Sequence, residues 1–152
     1  METLIDKLRT DFPKFHFVAA DIPQWSASLA TISYRNADDD SAAWGLLHEL
    51  GHAQLGHNDY GNDIELLKQE VAAWERAYEL AAVYDIAIDD AYVERCLDSY
   101  RDWLHHRSEC PACGAHGLES LQNTYSCLNC NASWKVGSDR FCRTYRAMSK
   151  TN

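Results

Sequence analysis

The sequence predicts an α+β fold: a small sheet with three main helices over residues 1–107, followed by a cysteine-rich appendage over 108–152. Three observations carry this expectation. Apolar alternation occurs only near the start, apolar residues three or four apart recur over three longer segments that follow, and after Arg107 the composition turns to Cys, Gly, Asn and Ser. The 152 residues, 46% of them hydrophobic and 24% charged, suffice for one cored domain with a small addition.

Leu4, Ile5 and Leu8 place a short helix over 2–10, ended at Asp11-Phe12-Pro13 because a residue before proline is disfavoured from helical geometry. Phe15, Phe17 and Ala19 alternate as in a strand, and after a turn at Asp21-Ile22-Pro23 the run 29–34 (LATISY) reads as a second one. The polar cluster 36–41 supplies an N-cap, with Asp39 and Asp40 well placed beside a helix N-terminus. The helix it opens, over 41–55, is apolar almost all round and charged only at Glu49, so it is expected to be buried. Two glycines in 56–62 break it, and Asp63 opens a helix to about Tyr84 with Ile64, Leu67, Val71, Trp74 and Tyr78 in one stripe. A third helix is expected over 89–106.

The most apolar of these helices carries His48-Glu49-Leu50-Gly51-His52. By composition alone an HExxH string arises about 0.02 times in such a chain. Residues i and i+4 share a helix face, so the two imidazoles can take adjacent corners of a Zn²⁺ tetrahedron while Glu49 faces a water-bearing corner. Such a zinc lowers the pKa of its water toward about 7, and a neighbouring carboxylate can accept the proton. Two histidines and a glutamate kept in a core only for packing would be costly, because an unpaired buried carboxylate is strongly penalised. For the third ligand the sequence offers His57 and several carboxylates. The longer HExxHxxGxxH pattern would require glycine at 55 and histidine at 58, but Leu55 and Asn58 stand there. Glu70 is the best candidate, because the small Ala73 and Ala77 on its helix allow a close helix approach; Asp63, Glu65 and Glu75 compete with it. The oxyanion-stabilising group stays open among Tyr60, His57 and Tyr78.

HELGHAQLGH followed by EVAAWERA resembles the ImmA/IrrE-type zinc metallopeptidases, over roughly residues 29–83. The resemblance implies a zincin-like body in which His48, His52 and Glu70 are ligands and Glu49 is the catalytic base. Trp74 stands in the neighbourhood where that family usually has Asn or Asp. The SprT-like proteases are similar in combining HExxH with a C-terminal zinc ribbon, although their third ligand is histidine.

Cys110-Pro-Ala-Cys113 and, thirteen residues on, Cys127-Leu-Asn-Cys130 form a strong structural-metal signature in which two knuckles close a Cys₄ tetrahedron. Stretches 118–126 and 132–136 can add strands, giving a two- or three-stranded zinc ribbon. About 30 residues cannot build an independent apolar core, so the metal must supply folding energy. Iron accepts the same ligands, and spacing does not separate the two metals. Cys96 and Cys142 stand apart from this pattern, and His116 reads as a spectator.

Residues 1–107 carry 9 Lys plus Arg against 20 Asp plus Glu, which argues against wrapping nucleic acid. The remainder carries 5 against 3, and Lys135, Arg140, Arg143, Arg146 and Lys150 allow at most a weak nucleic-acid contact. No run approaches the 18 apolar residues of a spanning helix, and METLIDKLRTDF lacks a secretory core, so a soluble, cytoplasmic protein without a membrane partner is expected. Six cysteines then suit metal binding in a reducing compartment. The expected function is a zinc-dependent metallopeptidase acting on a protein or peptide, with one catalytic and one structural Zn²⁺. The alternative is a non-catalytic module with a protease-like fold that binds nucleic acid or protein.

Overall fold

A computed structural model describes residues 1–138 and 144–148. The fold is mixed α+β, with four helices and two small sheets among the described residues. Two compact units are present. One comprises Met1–Asp59 and Lys68–Val93; the other comprises Tyr60–Leu67 and the described residues from Glu94 onward. Division by contact thus groups 60–67 and 94–107 with the cysteines, whereas composition changes at 108.

In the first unit, α1 (Glu2–Asp11) precedes β1 (His16–Ala19), β2 (Gln24–Ser26) and β3 (Thr31–Tyr34). The order is β1-β3-β2, with β1 parallel and β2 antiparallel to β3. The strand expected over 29–34 starts at Thr31, because Ala30 takes a left-handed conformation (φ 47°) after a 3₁₀ turn at Ala27–Leu29. Strand β2 is an element that sequence patterning did not reveal. Its three residues are too few to show an alternation.

Helix α2 (Asp40–Leu55) packs against β2 and β3. It starts where the polar cluster predicted a cap: Asp39 Oδ1 accepts the Ala42 N–H at 2.9 Å, satisfying a donor that the first turn would leave orphaned. It ends at Gly56, left-handed at φ 70°, a conformation that costs glycine little. Leu46, Leu47 and Leu50 are fully buried, each contributing about 1.5–3 kcal/mol relative to exposure. Helix α3 (Asp63–Val83) and helix α4 (Asp90–Ser108) each contribute residues to both units. The two middle helices approach closely at Gly51, where a Cβ would lie 2.5 Å from the Ala73 carbonyl oxygen. Ala73 and Ala77 are fully buried, the small residues that the sequence reading assigned to this contact.

The second unit holds β4 (Leu118–Leu121), β5 (Thr124–Ser126), β6 (Ser133–Val136) and β7 (Arg146–Met148) in an antiparallel sheet of that order. The expected single strand over 118–126 is a hairpin, turned at Asn123 (φ 60°), and β7 makes the sheet four-stranded. The cluster beside this sheet is small, Cys110, Tyr125, Cys127, Trp134 and Val136, and Leu97, Trp103 and Leu104 are further buried residues of the unit. A buried polar network lies in the same unit. Arg107 donates to Asp63 (Nε to Oδ2, 2.7 Å), to Asn123 Oδ1 (2.7 Å) and to the Gly137 carbonyl, while Tyr125 donates to Asp63. Among the described residues of this unit no buried side-chain nitrogen or oxygen lacks a hydrogen-bond partner, as burial requires. Among the described residues no helix is long and apolar enough to cross a membrane. Cys142, Arg140, Arg143 and Lys150 lie outside the described residues.

Candidate metal centre

Two groups of side chains among the described residues could hold a metal ion: His48, His52 and Glu70 in the first unit, and Cys110, Cys113, Cys127 and Cys130 in the second. Within each group the ligand atoms lie within 4.8 Å of one another.

The 3.6-residue period of α2 places His48 and His52 one turn apart on the face turned toward Glu70 of α3. Their Nε2 atoms are 3.1 Å apart. Glu70 Oε2 lies 3.2 Å from His48 Nε2, and Oε1 lies 3.7 Å from His52 Nε2. The Oε2 approach has the distance of a hydrogen bond without its direction, and this buried oxygen has no directed partner. Metal–nitrogen bonds of about 2.0–2.1 Å at tetrahedral angles put ligand atoms about 3.3 Å apart. The separations of His48 Nε2 from His52 Nε2 and from Glu70 Oε2 are close to that figure, and Glu70 approaches His52 through its other oxygen. His48 is 8% and Glu70 6% exposed, so the donors are already stripped of most water. Burial raises the Glu70 carboxyl, but the two imidazoles beside it outweigh burial and hold it well below the usual carboxylate range.

Glu49 is placed next to this group by the same helix, and strand β2 holds it. The Trp25 backbone N–H donates to Glu49 Oε2 at 2.7 Å, while the Trp25 indole Nε1–H donates to the His57 carbonyl at 2.8 Å. Burial raises the Glu49 carboxyl, an effect opposed by the neighbouring His48 and His52. His57 does not join the converging atoms: its Nδ1 lies 2.9 Å from His52 Nδ1, on the far side of that ring. Its imidazole is held below the ordinary range, first by burial and then by His52.

The competing carboxylates are engaged elsewhere or exposed. Asp63 accepts from Arg107, Glu65 Oε2 accepts the Gly61 N–H at 2.7 Å, and Glu75 is exposed. The Tyr78 hydroxyl donates to Asp90 Oδ1 at 2.7 Å. Two contacts of the site were not foreseen from the sequence, that of Trp74 with His48 and that of Trp25 with Glu49. Trp74 stacks on His48, with centroids 4.2 Å apart and planes at 26°; its spacing of four from Glu70 was the available signal. Trp25 had no such signal, because it reaches Glu49 from an element 24 residues away.

The cysteine group is built from two copies of one turn. Gly114 N–H donates to the Cys110 carbonyl (2.9 Å) and Asn131 N–H to the Cys127 carbonyl (3.0 Å), with Gly114 at φ 72° and Asn131 at φ 58°. Cys110 N–H then bonds the Ala115 carbonyl and Cys127 N–H the Ala132 carbonyl, both at 2.8 Å. The knuckles set Cys110 Sγ 3.7 Å from Cys130 Sγ and Cys113 Sγ 3.6 Å from Cys127 Sγ. Metal–sulfur bonds of about 2.3 Å predict ligand separations of about 3.8 Å in a tetrahedron. Asn129 Nδ2 donates to Cys113 Sγ at 3.5 Å and, with the Ala115 N–H, lowers that thiol to about 6. Although the Ala132 N–H favours its thiolate, Cys130 is pushed up by the adjoining sulfurs.

Comparison with known protein families, with curated proteins and with solved structures finds no match for this chain.

Proposed function

We propose that the protein is a zinc-dependent metallopeptidase, with His48, His52 and Glu70 holding the ion and Glu49 as the base. The observation that carries this reading is the convergence of three ligand atoms within 4.8 Å of one another, with a fourth side chain, Glu49, anchored beside them. The resemblance of HELGHAQLGH and EVAAWERA to the ImmA/IrrE-type peptidases agrees with it. Three protein ligands are what a catalytic zinc site uses, since the fourth position serves water or substrate, whereas four thiolates close a structural site. Zinc bound there would polarise a carbonyl and acidify water. The residues of the chain supply the rest. Glu70 brings negative charge to balance the cation, and the Trp25 N–H fixes Glu49 Oε2, so that Oε1 receives the proton from the attacking water and returns it to the leaving amine.

The test is Glu49→Gln, which keeps the shape and an acceptor for the Trp25 N–H. Hydrolysis of a degenerate peptide library, scored as new amino termini, should fall about 10²–10⁴-fold, the usual contribution of a general base. Metal analysis should still find two zinc ions per chain. Cleavage at the wild-type rate would remove Glu49 as base, and a single zinc confined to the cysteines would end the hydrolytic reading.

A further inference from the structure

When an imidazole gives its Nε2 lone pair to a cation, the ring's remaining proton sits on Nδ1, and what that N–H meets decides how the ring is held. The two histidines of the site differ in this respect. His48 Nδ1 is buried without a hydrogen-bond partner, and its ring is held by stacking on Trp74. His52 Nδ1 faces His57 Nδ1 at 2.9 Å, with the two rings at 68°. An N–H at that distance needs an acceptor, so His57 must present its Nδ1 lone pair and carry its own proton on Nε2.

His57 is itself held in place. Its backbone N–H donates to the His52 carbonyl at 3.0 Å, and its carbonyl accepts the Trp25 indole N–H at 2.8 Å. The left-handed Gly56 before it turns the chain back toward the end of α2. Trp25 therefore anchors the base through its backbone and the His57 segment through its side chain.

The geometry points to His57 as the positioning residue for His52: a neutral imidazole, in the Nε2–H tautomer, that accepts the His52 Nδ1–H and so aims His52 Nε2 at the metal ion. This inference rests on the reading that His48, His52 and Glu70 hold a metal, and its test separates the two ideas. Full-length wild type, His57→Ala and His57→Asn are titrated with zinc against a chromophoric chelator, with the cysteine site as internal reference. Partners of this kind typically contribute 10–100-fold in metal affinity, so His57→Ala should weaken the histidine site by about that factor and leave the cysteine site unchanged. His57→Asn, whose Oδ1 takes the place of Nδ1 and can only accept, should recover most of the loss. Nitrogen-15 spectra of the zinc-loaded wild type should show His52 protonated at Nδ1 and His57 unprotonated there. Undiminished affinity in His57→Ala, no recovery in His57→Asn, or a proton on His57 Nδ1 would overturn the assignment. A wild type that takes zinc only on its cysteines would instead overturn the metal-site reading beneath it.

Discussion

His48, His52 and Glu70 project from the interiors of two long helices, whereas Cys110, Cys113, Cys127 and Cys130 sit on two short turns beside a small sheet. The two helices that carry the first group also contribute the fully buried Leu46, Leu47, Leu50, Ala73 and Ala77. Around the second, Cys110 and Cys127 are themselves two of the five members of the buried cluster. Two of the candidate ligands are thus part of that small core. On the reading that both groups hold metal, the second region is expected to depend on its ion for folding more than the first does.

The largest effect that would test this contrast comes from replacing Cys110 and Cys113 together by serine. Amide protection across β4, β5 and β6 should be lost, while protection in the middle of α2 persists. Retained protection in the sheet would show that the small core suffices without the thiolates. An intermediate effect is expected from Gly51→Ala. Its methyl group would lie 2.5 Å from the Ala73 carbonyl oxygen, so the helices must separate, at about 1–3 kcal/mol of overpacking. Urea midpoints should fall accordingly, and zinc affinity at the histidine site should weaken because Glu70 moves with α3. Unchanged values for both would mean that this contact does not set the distance between the ligands. The smallest effect concerns the start of α2. Asp39 is held below its ordinary 3.8 first by the Ser41 hydroxyl and then by Arg35. A depressed carboxyl stabilises the folded state above its unfolded pKa, and that contribution is lost as pH falls through the folded value. The stability difference between wild type and Asp39→Asn should therefore be constant from pH 7 to about 5 and shrink below 3.8. A difference that stays the same at pH 2 would show that charge at the cap is irrelevant.

Much of this architecture was legible from local rules. Asp39 as cap, Gly56 as stop, the apolar period of α2 and α3, and both CxxC turns depend on residues within a few positions of one another. The choice of Glu70 was legible through Ala73 and Ala77, since small residues on a helix face signal close approach. Less could be read where the deciding partner is remote. The 118–126 stretch looked like one strand because nothing in its apolar pattern marks the left-handed Asn123 that folds it into a hairpin. Trp25 and His57 meet from elements 32 residues apart, and no window short enough to carry a periodicity spans that separation.

From its sequence alone this protein is committed to two ligand-bearing turns of CxxC and to a helix with two imidazoles on one face, because bond geometry and the helical repeat act between near neighbours. Only the tertiary structure decided that Glu70 meets those imidazoles, that the N–H of β2 anchors Glu49, and that Trp74 and His57 hold the two rings by different means. Those outcomes depend on how far apart whole elements pack. That distance is set by the summed contacts of side chains distant in sequence, such as Gly51 against Ala73, and by no local pattern.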